Sequence, residues 1–385
     1  MFSISRIQQV LQSVPRAEFD RIVQSHQGDR YSKGFGCWQH LLAMVYMQLS
    51  GATSLRQVEA GFNSQPGQHY HLNARCVRRT TLSQANGRRS PLIFAQLLQA
   101  LIAQAGRRIR REREELLYLL DATTVDLPQR GCADLRGHAS AHGNHGMKLH
   151  VLFESHSCAV AQASITPARV NDITEGRKLP IQAGAIYVFD KGYCNYNWWH
   201  EIDQKGARWV TRFRRDARLN YESEREVHGP ILRDSIVAFA LRIPRGGHRN
   251  LYSASLRRIE VARPDAAPLV LATNDLISPA EQIAALYKQR WQIELLFKWV
   301  KQHLQIRRFV GRNENAVRIQ LLTALIAYML VLLLKQATGS KDSLWMLLAQ
   351  LRHSLFQRAR TEQSWWKRRR ALLDHIAAVQ PALFT

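Results

Sequence analysis

Residues 116–128 read LLYLLDATTVDLP. Five apolar residues run from Leu116 to Leu120 and stop at an acid, Asp121. A short apolar run bounded by turn-forming residues predicts a buried β-strand. A carboxylate at the end of such a run is costly to bury unless it is paired or holds a metal ion. Asp126 is the competing acid, but it stands five positions on, so on a regular strand its side chain faces the other way. Asp121 is therefore preferred, against the bland reading that an acid after a strand starts a turn.

Working downstream, residues 147–154 (MKLHVLFE) and 158–167 (CAVAQASITP) predict two more strands joined by the turn Ser155-His156-Ser157. A helix is expected near 171–180 and a short strand over 185–190 (AIYVFD). A further helix over 195–206 and a fifth strand over 208–213 (RWVTRF) follow. Three hairpin strands, then helix, strand, helix and strand, is the element order of a ribonuclease H-like core, an α/β fold on a mixed sheet. Asp190 repeats the pattern of Asp121, an acid after the apolar run Ile186-Tyr187-Val188-Phe189. Residues 214–278 are β-rich (SIVAFALRI, RNLYSASLRRIEVA, PLVLATND), with Arg-Gly-Gly and Pro-Asp as turn signals. From 279 onward the pattern is helical.

Upstream, residues 1–112 read as several helices. The apolar stretch 41–51 (LLAMVYMQLSG) stops at Gly51, and Thr53-Ser54 supplies a cap for the next helix. Arg75, Arg78, Arg79, Arg88 and Arg89 cluster at the joints, Pro91 opens another apolar helix, and Arg107, Arg108, Arg110, Arg111 and Arg113 close the region. The 385-residue chain holds 54 Lys and Arg against 30 Asp and Glu, a net charge of +24. A chain so charged repels itself, and a polyanionic partner is the physical reason to keep it so. Arginine-rich joints between short helices suit the DNA backbone, where each neutralised phosphate releases counterions; a merely solvated surface is the alternative.

With 46% apolar residues the chain can build a core, which excludes a disordered polycation. Five scattered cysteines, none spaced CxxC, argue against a disulfide framework or a cysteine zinc site and for a reducing cytoplasm. His138, His142, His145 and His150 match no tight metal spacing and are read as an exposed or DNA-facing loop leading into the second strand. Residues 319–334 are strongly apolar but span only 16 residues between Arg318 and Lys335, where a membrane helix needs about 20. A buried core helix is expected there, with no membrane partner. Trp365-Trp366-Lys367-Arg368-Arg369-Arg370 fits a DNA backbone, a partner chain or a plain basic helix equally well.

Residues 286–304 (LYKQRWQIELLFKWVKQHL) predict one amphipathic helix. At about 100° per residue, Tyr287, Arg290, Glu294, Lys298 and Lys301 share a polar stripe beside an apolar face of Leu286, Ile293, Leu296, Val300 and Leu304. Periodicity alone would also fit a solvated helix. The spacing Tyr287-x2-Arg290-x3-Glu294-x6-Lys301, with Trp291 beside the arginine, resembles the signature of IS4-family transposases of bacterial insertion sequences. Asp121-Ala-Thr-Thr resembles that family's first-aspartate segment and Asp190-Lys-Gly-Tyr193 its second. Lys148-Leu-His150 resembles its second-strand motif, and Thr273-Asn-Asp the strand end before the signature helix. The spacing of 104 positions from Asp190 to Glu294 resembles its β-rich insertion. The similarity runs from about residue 30 to 335; the helix signature is specific, each aspartate motif alone is weak.

The resemblance implies an Asp-Asp-Glu triad of Asp121, Asp190 and Glu294 that is both catalytic and metal-binding. Two Mg²⁺ ions, or Mn²⁺ in their place, would be held by it for DNA cleavage and joining. It gives Tyr287, Arg290 and Lys301 phosphates near the cleaved end, and the shared stripe adds Lys298. It implies an excision route through a DNA hairpin, and double-stranded DNA as partner with no small-molecule substrate. A homodimer on paired DNA ends, in the bacterial cytoplasm with the nucleoid, completes the picture. The expected division is a helical DNA-binding region (1–112), a core (113–213 and 279–335), the insertion (214–278) and a basic helical C-terminal region (336–385). Two rivals remain at this point, a nuclease on the same fold that cuts without joining and a non-catalytic DNA-binding repressor.

Overall fold

A computed structural model describes residues 4–112, 115–127, 146–240, 249–306 and 308–359. The strands are β1 (Leu117–Asp126), β2 (Gly146–Glu154), β3 (Ala159–Pro167), β4 (Ile186–Phe189), β5 (Arg208–Arg212), β6 (Leu219–Glu224), β7 (Ile231–Phe239), β8 (Leu256–Arg263) and β9 (Ala266–Thr273). They form one sheet in the order β3-β2-β1-β4-β5-β9-β8-β7-β6. β1, β2 and β3 are antiparallel neighbours, while β4 lies parallel to β1 and β5 parallel to β4. Those five strands have the ribonuclease H-like arrangement that the element order predicts. The runs LLYLL and IYVF are apolar throughout because β1 and β4 sit mid-sheet with both faces covered.

The β-rich insertion does not form a separate body. Its last strand, β9, pairs antiparallel with β5, and β8, β7 and β6 continue the same sheet outward. The strand β6 was not expected. Its sequence, LNYESE, has no apolar alternation, and it is largely exposed at the sheet edge, where charged side chains keep an unpaired strand from recruiting another. The helix expected near 171–180 is one short piece, α7 (Asp172–Gly176), because the following residues turn back toward β4.

Before the sheet come α1 (Arg6–Leu11), α2 (Arg16–Ser25), α3 (Cys37–Ser50), α4 (Leu55–Asn63), α5 (Arg79–Arg88) and α6 (Leu92–Glu112). The predicted punctuation holds: α3 ends at Gly51 in the left-handed conformation, φ 78°, and the Ser54 hydroxyl caps α4 by accepting the Gln57 N–H. Between β4 and β5 lies α8 (Tyr196–Gln204), and after the sheet come α9 (Ala280–Gln289), α10 (Trp291–His303), α11 (Glu314–Thr338) and α12 (Leu344–Ser354). The apolar stretch at 319–334 is the middle of α11. This helix is long and apolar enough to cross a membrane, yet 94% of its most apolar window is buried inside the protein. α1, α3, α5, α6, α10, α12 and β3 all pack on it. A helix apolar on every side is a core helix when other elements surround it.

Candidate active site

The two aspartates meet through strand register. Leu120 on β1 is paired with Phe189 on β4, so Asp121 and Asp190, one residue further along each, stand side by side. β4 pairs with β5 at Val188 and Val210, which puts Arg212 level with Asp190. One row across three parallel strands thus reads Asp121, Asp190, Arg212. Asp121 does not end its strand as expected: β1 runs on to Asp126, because Ala122 to Asp126 keep their pairing to β2. Asp126 is exposed, and its odd offset turns it away from Asp121.

Glu294 arrives from the helical side, but not on one continuous helix. The predicted helix over 286–304 is broken at Arg290, which ends α9 and starts α10. Here the backbone tightens to three-residue spacing, with Arg290 N–H bonded to the Tyr287 carbonyl and Ile293 N–H to the Arg290 carbonyl. The Arg290 guanidinium reaches 2.6 Å from Glu294 Oε1 and 3.8 Å from Asp121 Oδ2, joining helix to sheet. Tyr287 is not presented to solvent as the stripe predicts. It is buried, with the Arg290 guanidinium 5.8 Å over its ring. Lys298 is exposed and Lys301 half-buried.

The electrostatics of the two aspartates differ. Burial pushes the Asp121 carboxyl up to about 6, with the Ala122 N–H and Arg290 working against it and the charges of Glu294 and Asp190 with it. Asp190 is also penalised by burial. It is nonetheless held below the usual carboxylate range by hydrogen bonds from Arg212 and the Lys191 N–H and by the charges of Arg212 and Arg290. Arg212 Nε lies 3.1 Å from Asp190 Oδ1 and the Nη2 group bonds the same oxygen. Sequence reasoning missed Arg212. The signal was present, a charged residue closing the apolar strand RWVTR as the acids close theirs, but a cation there looked like ordinary surface charge.

Among the described residues no three His, Cys, Asp or Glu side chains close into a metal-binding cluster. Guanidinium groups pair with all three acids, Arg290 with Asp121 and Glu294 and Arg212 with Asp190. The donor set nevertheless fits a hard divalent ion in kind, since Asp121, Asp190 and Glu294 offer carboxylate oxygens and Asp121 feels the charges of the other two.

The other residues of the resemblance brace the site. Lys148 bonds Asp172 Oδ1 and the Val170 carbonyl, both at 2.9 Å, and His150 Nε2 lies 2.8 Å from the Thr166 hydroxyl. Asn274 and Asp275 tie the end of β9 to the residues around β5: Asn274 accepts the Trp209 N–H, and Asp275 pairs with Arg208 at 3.0 Å. In the N-terminal region Arg75, Arg78, Arg79 and Arg88 are exposed. Arg89 is not. It turns inward to bond the Phe35 carbonyl and lies 3.6 Å from Asp29, so this arginine is structural. His138, His142, His145, the side chains of Arg108, Arg110, Arg111 and Arg113, and the 365–370 segment lie outside the described residues.

A family model described as "Transposase DDE domain" matches residues 112–330, more than half of the chain. The chain belongs to the DDE transposases. A "Putative transposase y4zB" of Sinorhizobium fredii is 42% identical over 65% of this chain and 69% of that protein. A "Probable transposase for insertion sequence element IS5377" of Geobacillus stearothermophilus is 27% identical over 62% of each. A "Putative transposase for insertion sequence element IS4SA" of a Synechocystis species is 24% identical over 69% of this chain and 74% of that one. The transposase is of the IS4 insertion-sequence type, an enzyme that cleaves and transfers DNA with divalent metal. Residues 3–75 match a second model, a domain of unknown function (DUF4372).

Proposed function

We propose that this transposase cuts DNA at the ends of an insertion sequence and joins the freed 3′-hydroxyl ends to target DNA, using Asp121, Asp190 and Glu294 as its catalytic carboxylates. The observation that carries the reading is the shared row of Asp121 and Asp190 on β1 and β4, with Glu294 linked to Asp121 through Arg290. These three side chains would hold two Mg²⁺ ions, with Mn²⁺ as a substitute. Ions held there supply an activated oxygen nucleophile and neutralise charge on the leaving oxygen.

The chain's own residues do the rest. Arg212 and Arg290, beside the acids, would grip phosphate oxygens, and the planar fork of arginine suits a bidentate grip. Buried Tyr287 supports the Arg290 guanidinium from below. Exposed Lys298, with Lys301 further along α10, extends the cationic face along the DNA. The helical 1–112 region holds the element ends through Arg75, Arg78, Arg79 and Arg88. Release through a DNA hairpin, and two chains on two paired ends at the nucleoid, complete the proposal.

The test uses Glu294→Gln in the full chain with Mg²⁺ and a duplex carrying the element end. Cleavage and joining should both fall to background while DNA binding is kept. Cleavage retained by this variant removes the third acid from the mechanism. Cutting by the wild type with no joined product points to a nuclease instead.

A further inference from the structure

We propose that α5 is the helix that reads the element's terminal sequence, lying in the DNA major groove with Thr80, Ser83 and Gln84 toward base edges and Arg79 and Arg88 on the flanking phosphates. This rests on the reading that the N-terminal region binds DNA, and deepens it by naming helix, groove and side chains.

The helix is two-sided. Leu82, Ala85 and Asn86 are buried, and Asn86 Oδ1 lies 2.8 Å from Nε2 of the buried His40. Arg79, Thr80, Ser83, Gln84 and Arg88 are exposed. At about 100° per residue these five span the opposite half of the helix. That half is polar where a merely solvated helix is usually mixed in sign, and α5, RTTLSQANGR, contains no acid. Arg75 and Arg78 lead into it, and among the described residues none of Arg75, Arg78, Arg79 and Arg88 forms an ion pair. The surface of α2 is different, since its exposed Glu18 and Asp20 would repel a phosphate backbone.

The residue types suit base recognition. A glutamine amide can bond adenine through two atoms at once, serine and threonine hydroxyls accept or donate, and arginines at the two ends of a helix register it on the backbone. An α-helix about 10–12 Å across fits the major groove, which is about 12 Å wide.

The helix is also fixed to the catalytic half of the molecule. The side-chain amides of Asn313 and Asn315 donate to the Gly87 carbonyl at 3.1 and 3.2 Å, while Asn313 Oδ1 caps α11 by accepting the Ala316 N–H at 2.9 Å. A sequence read by α5 is thereby held at a set distance from the carboxylate row, which is how an end-cutting enzyme places its cut.

The experiment selects duplexes from a random-sequence pool with the full-length transposase, then measures binding of the enriched duplex against a scrambled one over a salt series. Wild type should enrich a defined motif. Gln84→Ala should lose preference at one base pair, roughly tenfold or more, and leave binding of the scrambled duplex unchanged. Arg79→Ala and Arg88→Ala should weaken both duplexes alike and lower the salt slope by about one each. An unchanged motif in Gln84→Ala, Ser83→Ala and Thr80→Ala together overturns the helix assignment, as does a wild type that enriches no motif. If the arginine variants still weaken binding, only this inference falls. Should they bind both duplexes as wild type does, the reading of the N-terminal region falls with it. All five side chains are exposed, so a thermal melt equal to wild type separates lost contacts from lost fold.

Discussion

Asp121 stores an electrostatic cost that the fold must carry. The folded chain holds its proton more tightly than the unfolded chain does, since burial raises the group from 3.8 to about 6. A raised carboxylate pKa takes stability away as pH climbs from the unfolded value through the folded one, and the penalty is complete above that window. Asp121→Asn should therefore be more stable than wild type at pH 7.5 in a chelator, on the order of 2 kcal/mol, and equal to it near pH 4. Thermal melts at the two pH values check this; a variant less stable at pH 7.5 would contradict the burial argument. Metal binding has the opposite demand, because a ligand carboxylate must be deprotonated. Mg²⁺ affinity measured by calorimetry should fall below about pH 6.

Between elements, the buried pair Asp234 and Arg257 locks the insertion to the catalytic helices. Arg257 on β8 meets Asp234 on β7 at 2.6 and 2.7 Å, both almost fully buried. The same guanidinium bonds the carbonyls of Asp275 and Ser278, in the turn that launches α9. Removing one partner of such a pair strands a charge in the interior. Arg257→Met should cost on the order of 3–5 kcal/mol, and adding Asp234→Leu should recover much of it. Denaturant melts of the two variants decide it: equal losses in single and double would show that the charge balance was not what mattered. The break at Arg290 belongs to this scale too. The Ser155 hydroxyl, at the β2–β3 turn, lies 2.8 and 3.0 Å from the Oε1 atoms of Gln289 and Gln292, bracing the joint from either side.

Across the whole molecule, the N-terminal helices and the catalytic sheet share one core. Buried side chains from Ile7 to Leu355 form a continuous cluster, and α11 runs through its centre. Buried Gln48 on α3 donates to the Gln320 carbonyl of α11, accepts the Gln305 N–H, and so stitches the two halves together. The full chain should melt in a single transition, whereas a chain lacking residues 1–112 should elute as aggregate in size exclusion, because it bares the α11 face. A folded, monodisperse fragment would show that the halves are independent.

The element order of the first five strands, the strands that hold Asp121 and Asp190, the core helix at 319–334 and the cationic character were all legible in the sequence. Each is written in local pattern: apolar period, turn residues, and the sign and spacing of charges. Arg212 was not legible, because its meaning comes from the strand beside it, and neither was the break at Arg290, because a helical period does not register Asp121, which the Arg290 guanidinium meets on the sheet. The inward turn of Arg89 and the outward face of α5 are of the same kind. Sequence fixes what each segment is, since propensity and period act over a few residues. Which charges share a site is decided only when strands pair and helices pack, because electrostatic energy depends on distance through space and not along the chain.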